Sequence, residues 1–182
     1  MGTVSTTEKG KGKSAMRPRL MFADSNESGT GSAIQVELHP ATLDRPGSLM
    51  LEFAKQTDPG YVDSDGYHNG GFDWAGSLKF RIKLAVVGKM LNVLQGSSEF
   101  LMDEKDEEFM IRRKNDSVLF YCDHIYNIGP KGDKHGVKLE AYIDGEPDSG
   151  HSYILDKDEI VILRHAIESS MGVLAWGEGA AE

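Results

Sequence analysis

Hydrophobic and polar positions alternate with a period of two along most of the chain, and the period changes only near its end. Ala33-Ile34-Gln35-Val36-Glu37-Leu38 alternates as a half-buried strand does, and Leu49, Leu51 and Phe53 repeat the pattern within residues 48–53. The clearest alternation is Leu78-Lys79-Phe80-Arg81-Ile82-Lys83-Leu84, with Leu78, Phe80, Ile82 and Leu84 on one face and Lys79, Arg81 and Lys83 on the other. Before it, residues 55–76 form a loop rich in Gly and Asp that contains Pro59. Residues 86–94 have the spacing and length of a short helix, which Gly96 ends. Residues 109–114 and 118–126 flank an Asn115-Asp116 turn and predict a hairpin. Residues 137–143 alternate again before an Asp144-Gly145 turn, and His151–Leu155 is a last short strand.

From Asp156 onward the period becomes helical. Asp156 is placed as an N-cap with Glu159 three residues later reaching back, as in a capping box. Ile160, Leu163, Ile167, Met171 and Leu174 then recur at steps of three and four, while Ile162, Ala166 and Val173 widen the apolar face. Two readings are open for that face: packing on the chain's own core, or burial against another subunit. Gly177 closes the helix and residues 178–182 are a small acidic tail. The class is α+β, an antiparallel β-rich body with a late helix.

At 182 residues the chain fits one domain with a core that needs no staples. One cysteine, Cys122, excludes an intramolecular disulfide and argues against a cysteine-based zinc site. No apolar run approaches the roughly 20 residues of a membrane span, and the polar, Gly-rich start lacks the apolar centre of a secretory signal. A soluble protein in a reducing cytosol, with no membrane partner, is the expectation. The opening Met-Gly-Thr-Val-Ser-Thr also has the form of a myristoylation site, with Gly2 as acceptor. Net charge is -9, but it is unevenly placed: Lys9, Lys11, Lys13, Arg17 and Arg19 face Glu8 alone in the first nineteen residues. A basic arm on an acidic body points to a partner, the alternative being a solvated tail over residues 1–9.

Catalytic and metal constellations are absent from the sequence. There is no Walker-type loop, no Gly-x-Ser-x-Gly elbow and no His-Glu-x-x-His. The six histidines, His39, His68, His124, His135, His151 and His165, have no ligand spacing. Asp63-Ser64-Asp65-Gly66 begins like a calcium loop, but its twelfth position is Trp74 rather than Glu. Asp103, Glu104, Asp106, Glu107 and Glu108 form one hydrophilic run, which reads as a solvated loop. No catalytic residue, metal site or cofactor is expected.

What remains is a binding surface. Alternate strand residues rise roughly 3.3 Å each, so Lys79, Arg81 and Lys83 offer cations about 7 Å apart, close to the phosphate repeat of an extended single strand. Trp74, Tyr121 and Tyr142 are candidate faces for stacking bases. The plainer alternative is that Trp74 anchors a loop end and that neighbouring carboxylates pair with the basic face.

Six segments, in order, resemble the Whirly family of single-stranded DNA-binding proteins. Lys11-Gly12-Lys13-Ser14-Ala15-Met16 is similar to that family's Lys-Gly-Lys-Ala-Ala-Leu, and Gly47-Ser48-Leu49-Met50-Leu51-Glu52-Phe53-Ala54 to its Gly-x-Leu-Leu-Leu-Gln-Phe-Ala. Phe72-Asp73-Trp74 stands where the family has Tyr-Asp-Trp, Val87-Gly88-Lys89-Met90-Leu91 where it has Ile-Gly-Thr-Leu, and Ser98-Glu99-Phe100 before Asp103 where it has Cys-Glu-Phe-Phe-His-Asp. The helix from Asp158 through Ala175-Trp176 resembles the family's last one. Residues 57–71 and 104–127 depart from the pattern. The resemblance implies two antiparallel four-stranded sheets packed crosswise with a C-terminal helix, over residues 10–177. It also implies a homotetramer joined through Ile160, Leu163, Ile167, Met171 and Leu174, and single-stranded DNA lying along sheet edges between protomers.

On that basis Lys11 and Lys13, with Arg17 of the same arm, contact phosphate or fix their strand, and Trp74 sits near the bases. Met16 and Phe53 line apolar base pockets or pack in the core. The function expected is coating of single-stranded DNA with little sequence preference in replication, recombination or repair, in a bacterial or phage-infected cytosol. Alternatives are a transcriptional coactivator on melted promoters and a guide-RNA or mRNA annealing factor, in which case the partner is RNA.

Overall fold

The computed structural model describes residues 19–62, 64, 68–101, 109–128 and 134–176. Lys11, Lys13, Met16, Arg17, the acidic run 103–108 and both tails lie outside the described residues.

Eight strands build two antiparallel sheets. The first runs β1 (Arg19–Asp24), β2 (Ser32–His39), β3 (Ser48–Lys55), then β6 (Leu78–Lys83), in that spatial order. The second has the order β10 (His151–Leu155), β9 (Lys134–Ile143), β8 (Ser117–Ile128), β7 (Phe109–Arg112). Between β3 and β6 the predicted loop carries a two-residue pair, β4 (Tyr61–Val62) and β5 (His68–Asn69). The α+β class and two four-stranded sheets with a C-terminal helix are as the sequence implies.

The apolar halves of the alternating strands meet face to face. Phe53 on β3 stacks on Phe80 of β6 at 6.0 Å, and Phe80 meets Phe120 of β8 in the other sheet at 5.4 Å. Phe22 and Tyr153 make a second aromatic link between β1 and β10, at 6.4 Å. At the rim, the Arg113 guanidinium donates to the Lys79 carbonyl at 2.9 Å and pairs with Asp116, so the β7–β8 hairpin is tied to β6. The Asp116 carboxyl is held below its usual range chiefly by that hydrogen bond.

Both helices have the ends their sequences announce. α1 (Leu84–Leu94) starts directly after β6 and closes in a Schellman motif: Gly96 has φ +75°, its N–H donates to Val93 O at 2.9 Å, and Ser97 N–H donates to Asn92 O at 2.8 Å. α2 (Lys157–Trp176) has the expected capping box. The amides of Asp158 and Glu159 each donate to Asp156 Oδ1 at 2.9 Å, and Glu159 Oε2 accepts from the Asp156 amide at 3.1 Å. At its far end the loop between β2 and β3 supplies donors to the last carbonyls: Ala41 N–H to Val173 O at 3.2 Å and Gly47 N–H to Leu174 O at 3.1 Å.

Of the two readings open for the apolar face of α2, the fold shows packing on the chain's own core. Ile160, Leu163, Ile167 and Leu174 are buried inside this chain, at 8%, 0%, 2% and 0% exposure, and Met171 packs against the same core. Helical periodicity identified a buried face but not its cover, which is α1 together with the chain's own sheets. Among the described residues, the large apolar side chains that α2 leaves outside are Val161 and Ile162, 44% and 50% exposed. No helix among the described residues is long and apolar enough to cross a membrane.

Candidate nucleic-acid interface

Sheet register sets the surface chemistry. On the outer face of the first sheet, Lys79 stands opposite Glu52, Arg81 opposite Met50 and Lys83 opposite Ser48; one strand further, Glu37 lies between Met50 and Arg19. All three β6 cations are exposed, as alternation requires. Two of them are engaged. Lys79 Nζ is 2.9 Å from Glu52 Oε2, whose other oxygen accepts from Ser77 at 2.7 Å. Arg81 donates to His39 Nδ1 at 3.3 Å. An arginine only donates, so the His39 proton sits on Nε2, which is 3.2 Å from Glu37 Oε1; Glu37 Oε2 in turn takes Arg19 at 3.1 Å. Among the described residues, four cations thus share this face with two carboxylates, a local positive excess on an acidic chain. Exposed ion pairs of this kind contribute about 0–1 kcal/mol to folding, so phosphate oxygens can replace the carboxylates at little cost.

The tyrosines lie on the other sheet. Tyr121 and Tyr142 occupy diagonal positions on its outer face, stacked at 5.5 Å with hydroxyls 2.7 Å apart. Met110 and Ile154, 46% and 44% exposed, and the Lys138–Glu140 ion pair share that face. The two sheets pack through their inner faces, so the predicted cations and the predicted tyrosines point away from each other. A strand touching both sets on one chain has to cross a sheet edge.

Trp74 belongs to the first sheet's margin. It is half-buried, 6.5 Å from the Phe72 ring, on a segment that Asp73 N–H ties to Lys55 O at 2.9 Å. Gln56, 7% exposed, fixes this region, and sequence reasoning missed it. Its Oε1 accepts from the amides of Asn26 and Gly31 at 3.0 and 2.9 Å, and its Nε2 donates to the carbonyls of Asn26 and Asp58 at 2.9 and 2.6 Å. The only sequence signal is a polar residue directly after an apolar strand. Phe53 is 1% exposed and stacked on Phe80, so it belongs to the core and has no ring face to offer a base. A third aromatic group was also missed: His124, Tyr126 and His135 tile the β8–β9 arm at 6.3 and 6.4 Å, with Tyr126 62% exposed.

Burial pushes the Cys122 thiol well above its usual range, which removes it as a nucleophile. Among the described residues no three His, Cys, Asp or Glu side chains gather as a metal site.

Solved structures give the fold a name. The chain is similar to WHY1 from Arabidopsis thaliana with TM-score 0.61 and 13% identity, over 92% of this chain and 90% of that one. The fold is Whirly-like. A second Arabidopsis thaliana structure, WHY3, matches with TM-score 0.59 and 13% identity, over 92% of this chain and 94% of that one. The plant transcriptional regulator PBF-2 matches with TM-score 0.55 and 16% identity, over 89% and 84%. The Whirly-like pattern of two sheets and a closing helix is shared at this low identity because it rests on strand alternation and helix packing, which many sequences satisfy. No family model matches the sequence and no curated protein matches it.

Proposed function

We propose that this chain is a non-enzymatic single-stranded DNA-binding protein with little sequence preference, which coats unpaired strands in replication, recombination or repair. The observation that carries the reading is the Whirly-like fold over nine tenths of the chain, with 92% covered against WHY1. The excess of cations on the first sheet supports it, since phosphate neutralisation gives affinity that is independent of sequence. Lys11, Lys13 and Arg17 are assigned to the same backbone contact and Trp74 to the bases. The strand crosses sheet edges between protomers, which reconciles cations and tyrosines on opposite outer faces. A cytosolic setting is part of the proposal; the similar structures named above come from plants and lend no weight to a bacterial or phage source.

Assembly as a homotetramer belongs to the same reading, with its contact moved to the outward side of α2. Val161 and Ile162 are the exposed apolar pair there. Native mass measured with and without an unstructured oligonucleotide tests both parts: four copies with bound oligonucleotide are expected. Glu at both Val161 and Ile162 is expected to yield smaller species with an unchanged circular-dichroism spectrum. A single copy that takes up no oligonucleotide contradicts the proposal.

A second reading, a transcriptional regulator on melted promoters, is favoured by the likeness to PBF-2. Footprinting decides between them: protection confined to promoter sequences supports regulation, and protection of any unpaired strand supports coating.

A further inference from the structure

A polar cleft of about 360 Å³ opens where the two sheets meet at their ends, walled by the start of β2, the end of β3 and the start of β10. Its lining includes Thr30, Ser32, Lys55, Gln56, His151 and Ser152, with no Asp or Glu among the described residues that line it. The geometry points to a phosphate-binding site in this cleft, formed by Lys55 of the first sheet and His151 of the second, with the hydroxyl of Ser32 as a further donor. The site rests on the nucleic-acid reading above only for the source of the phosphate.

Three features support it. First, the walls are already fixed. All four hydrogen bonds of the Gln56 amide are made, to the turn before β2 and to Asp58, so the cleft needs little ordering when a ligand enters. The His151 ring is held by its Nδ1, which donates to Ser149 O at 2.7 Å, leaving Nε2 as the second donor once the ring is protonated.

Second, Lys55 and His151 both line the cleft, and no carboxylate is among its described lining residues. Burial, and after it the Lys55 charge, lower the His151 pKa, against the Ser149 carbonyl and Asp73, which raise it. Lys55 is exposed and makes no ion pair among the described residues. An anion seated between them relieves that repulsion and favours protonated His151. Third, the cleft adjoins the stacking candidate. Asp73 N–H donates to Lys55 O at 2.9 Å, so Trp74 follows one residue beyond the cleft wall. Neither Lys55 nor His151 belongs to any segment that resembles a known family.

The experiment uses the full chain and follows the imidazole signal of His151 by NMR as pH is varied, assigned by its loss in His151→Gln. Two probes are compared, a thymidine oligomer and inorganic phosphate, with oligomer binding measured separately by fluorescence anisotropy. The midpoint of His151 is expected to move up with either probe, and the movement is expected to vanish in Lys55→Gln, which changes only an exposed side chain. Lys55→Gln is also expected to weaken the oligomer several-fold below pH 6.5 and to reduce the salt slope by about 0.7, the share of one phosphate on a single strand. Movement with the oligomer assigns the phosphodiester of a bound strand; movement with inorganic phosphate alone assigns a free or terminal phosphate. No movement with either probe overturns the site, even if the oligomer binds. If no oligomer binds at all, the single-strand reading fails and the phosphate arm alone decides the cleft.

Discussion

Replacing Phe53 by alanine is expected to remove about 3–5 kcal/mol of folding stability, while the folded chain keeps its affinity for an oligonucleotide. Phe53 sits mid-sheet on β3, between Ile34 and Leu78 in register, and is 1% exposed. Its ring stacks on Phe80 at 6.0 Å, and Phe80 carries the contact across to Phe120 at 5.4 Å. Truncation therefore opens a void in the layer that joins the two sheets, and the fixed strands cannot collapse to fill it. Urea unfolding measures the loss, and anisotropy at urea concentrations below the transition measures the affinity. A tenfold weaker complex with unchanged stability returns Phe53 to a base pocket.

Gly47→Ala is expected to cost about 2–5 kcal/mol, from overpacking and from two hydrogen bonds lost at the end of α2. A Cβ at this position meets only backbone: it lies 2.6 Å from Leu174 Cα and 2.7 Å from Leu174 C. Backbone cannot swing aside as a flexible side chain does. The loop must instead withdraw from the helix, taking with it the Gly47 and Ala41 amides that satisfy Leu174 and Val173. Urea unfolding again reads the effect, and hydrogen exchange of the last turn of α2 localises it. A change under about 0.5 kcal/mol shows that the loop does not hold the helix end.

Much of the architecture was legible because strand alternation and capping are local signals. β2, β3, β6 and β10 lie within a residue or two of the positions their patterns indicate, and Asp156 and Glu159 form the box their spacing announces. Gly47 opens a segment matched by resemblance, and the close approach of α2 supplies its physical reason. β1 was missed because it is an edge strand with one residue, Phe22, buried out of six, too little for a period to show. β4 and β5 are two residues each, below any period.

The interface was less legible. Alternation placed Lys79, Arg81 and Lys83 on one face correctly, but pairing with Glu52 and His39 is a property of register, which joins positions 27 and 42 residues apart. Which sheet faces which way is likewise invisible in one dimension, so Tyr121 and Tyr142 were grouped with cations that point the other way. The periodic face of α2 gave burial without its cover. Gln56 and the cleft at Lys55 and His151 depend on three separate segments meeting, and nothing local marks them.

The central claim is that the chain grips unpaired strands through their phosphates. Anisotropy of a labelled thymidine oligomer, titrated with the chain from 50 to 200 mM salt, tests it most directly. Three or more neutralised phosphates predict a loss of about tenfold or greater in affinity over that range. Unlabelled single strands of any sequence are expected to compete alike, duplex far less, and Lys11→Ala with Lys13→Ala to weaken every sequence to the same degree. An affinity that does not change with salt, or a duplex that competes as well as a single strand, contradicts the account.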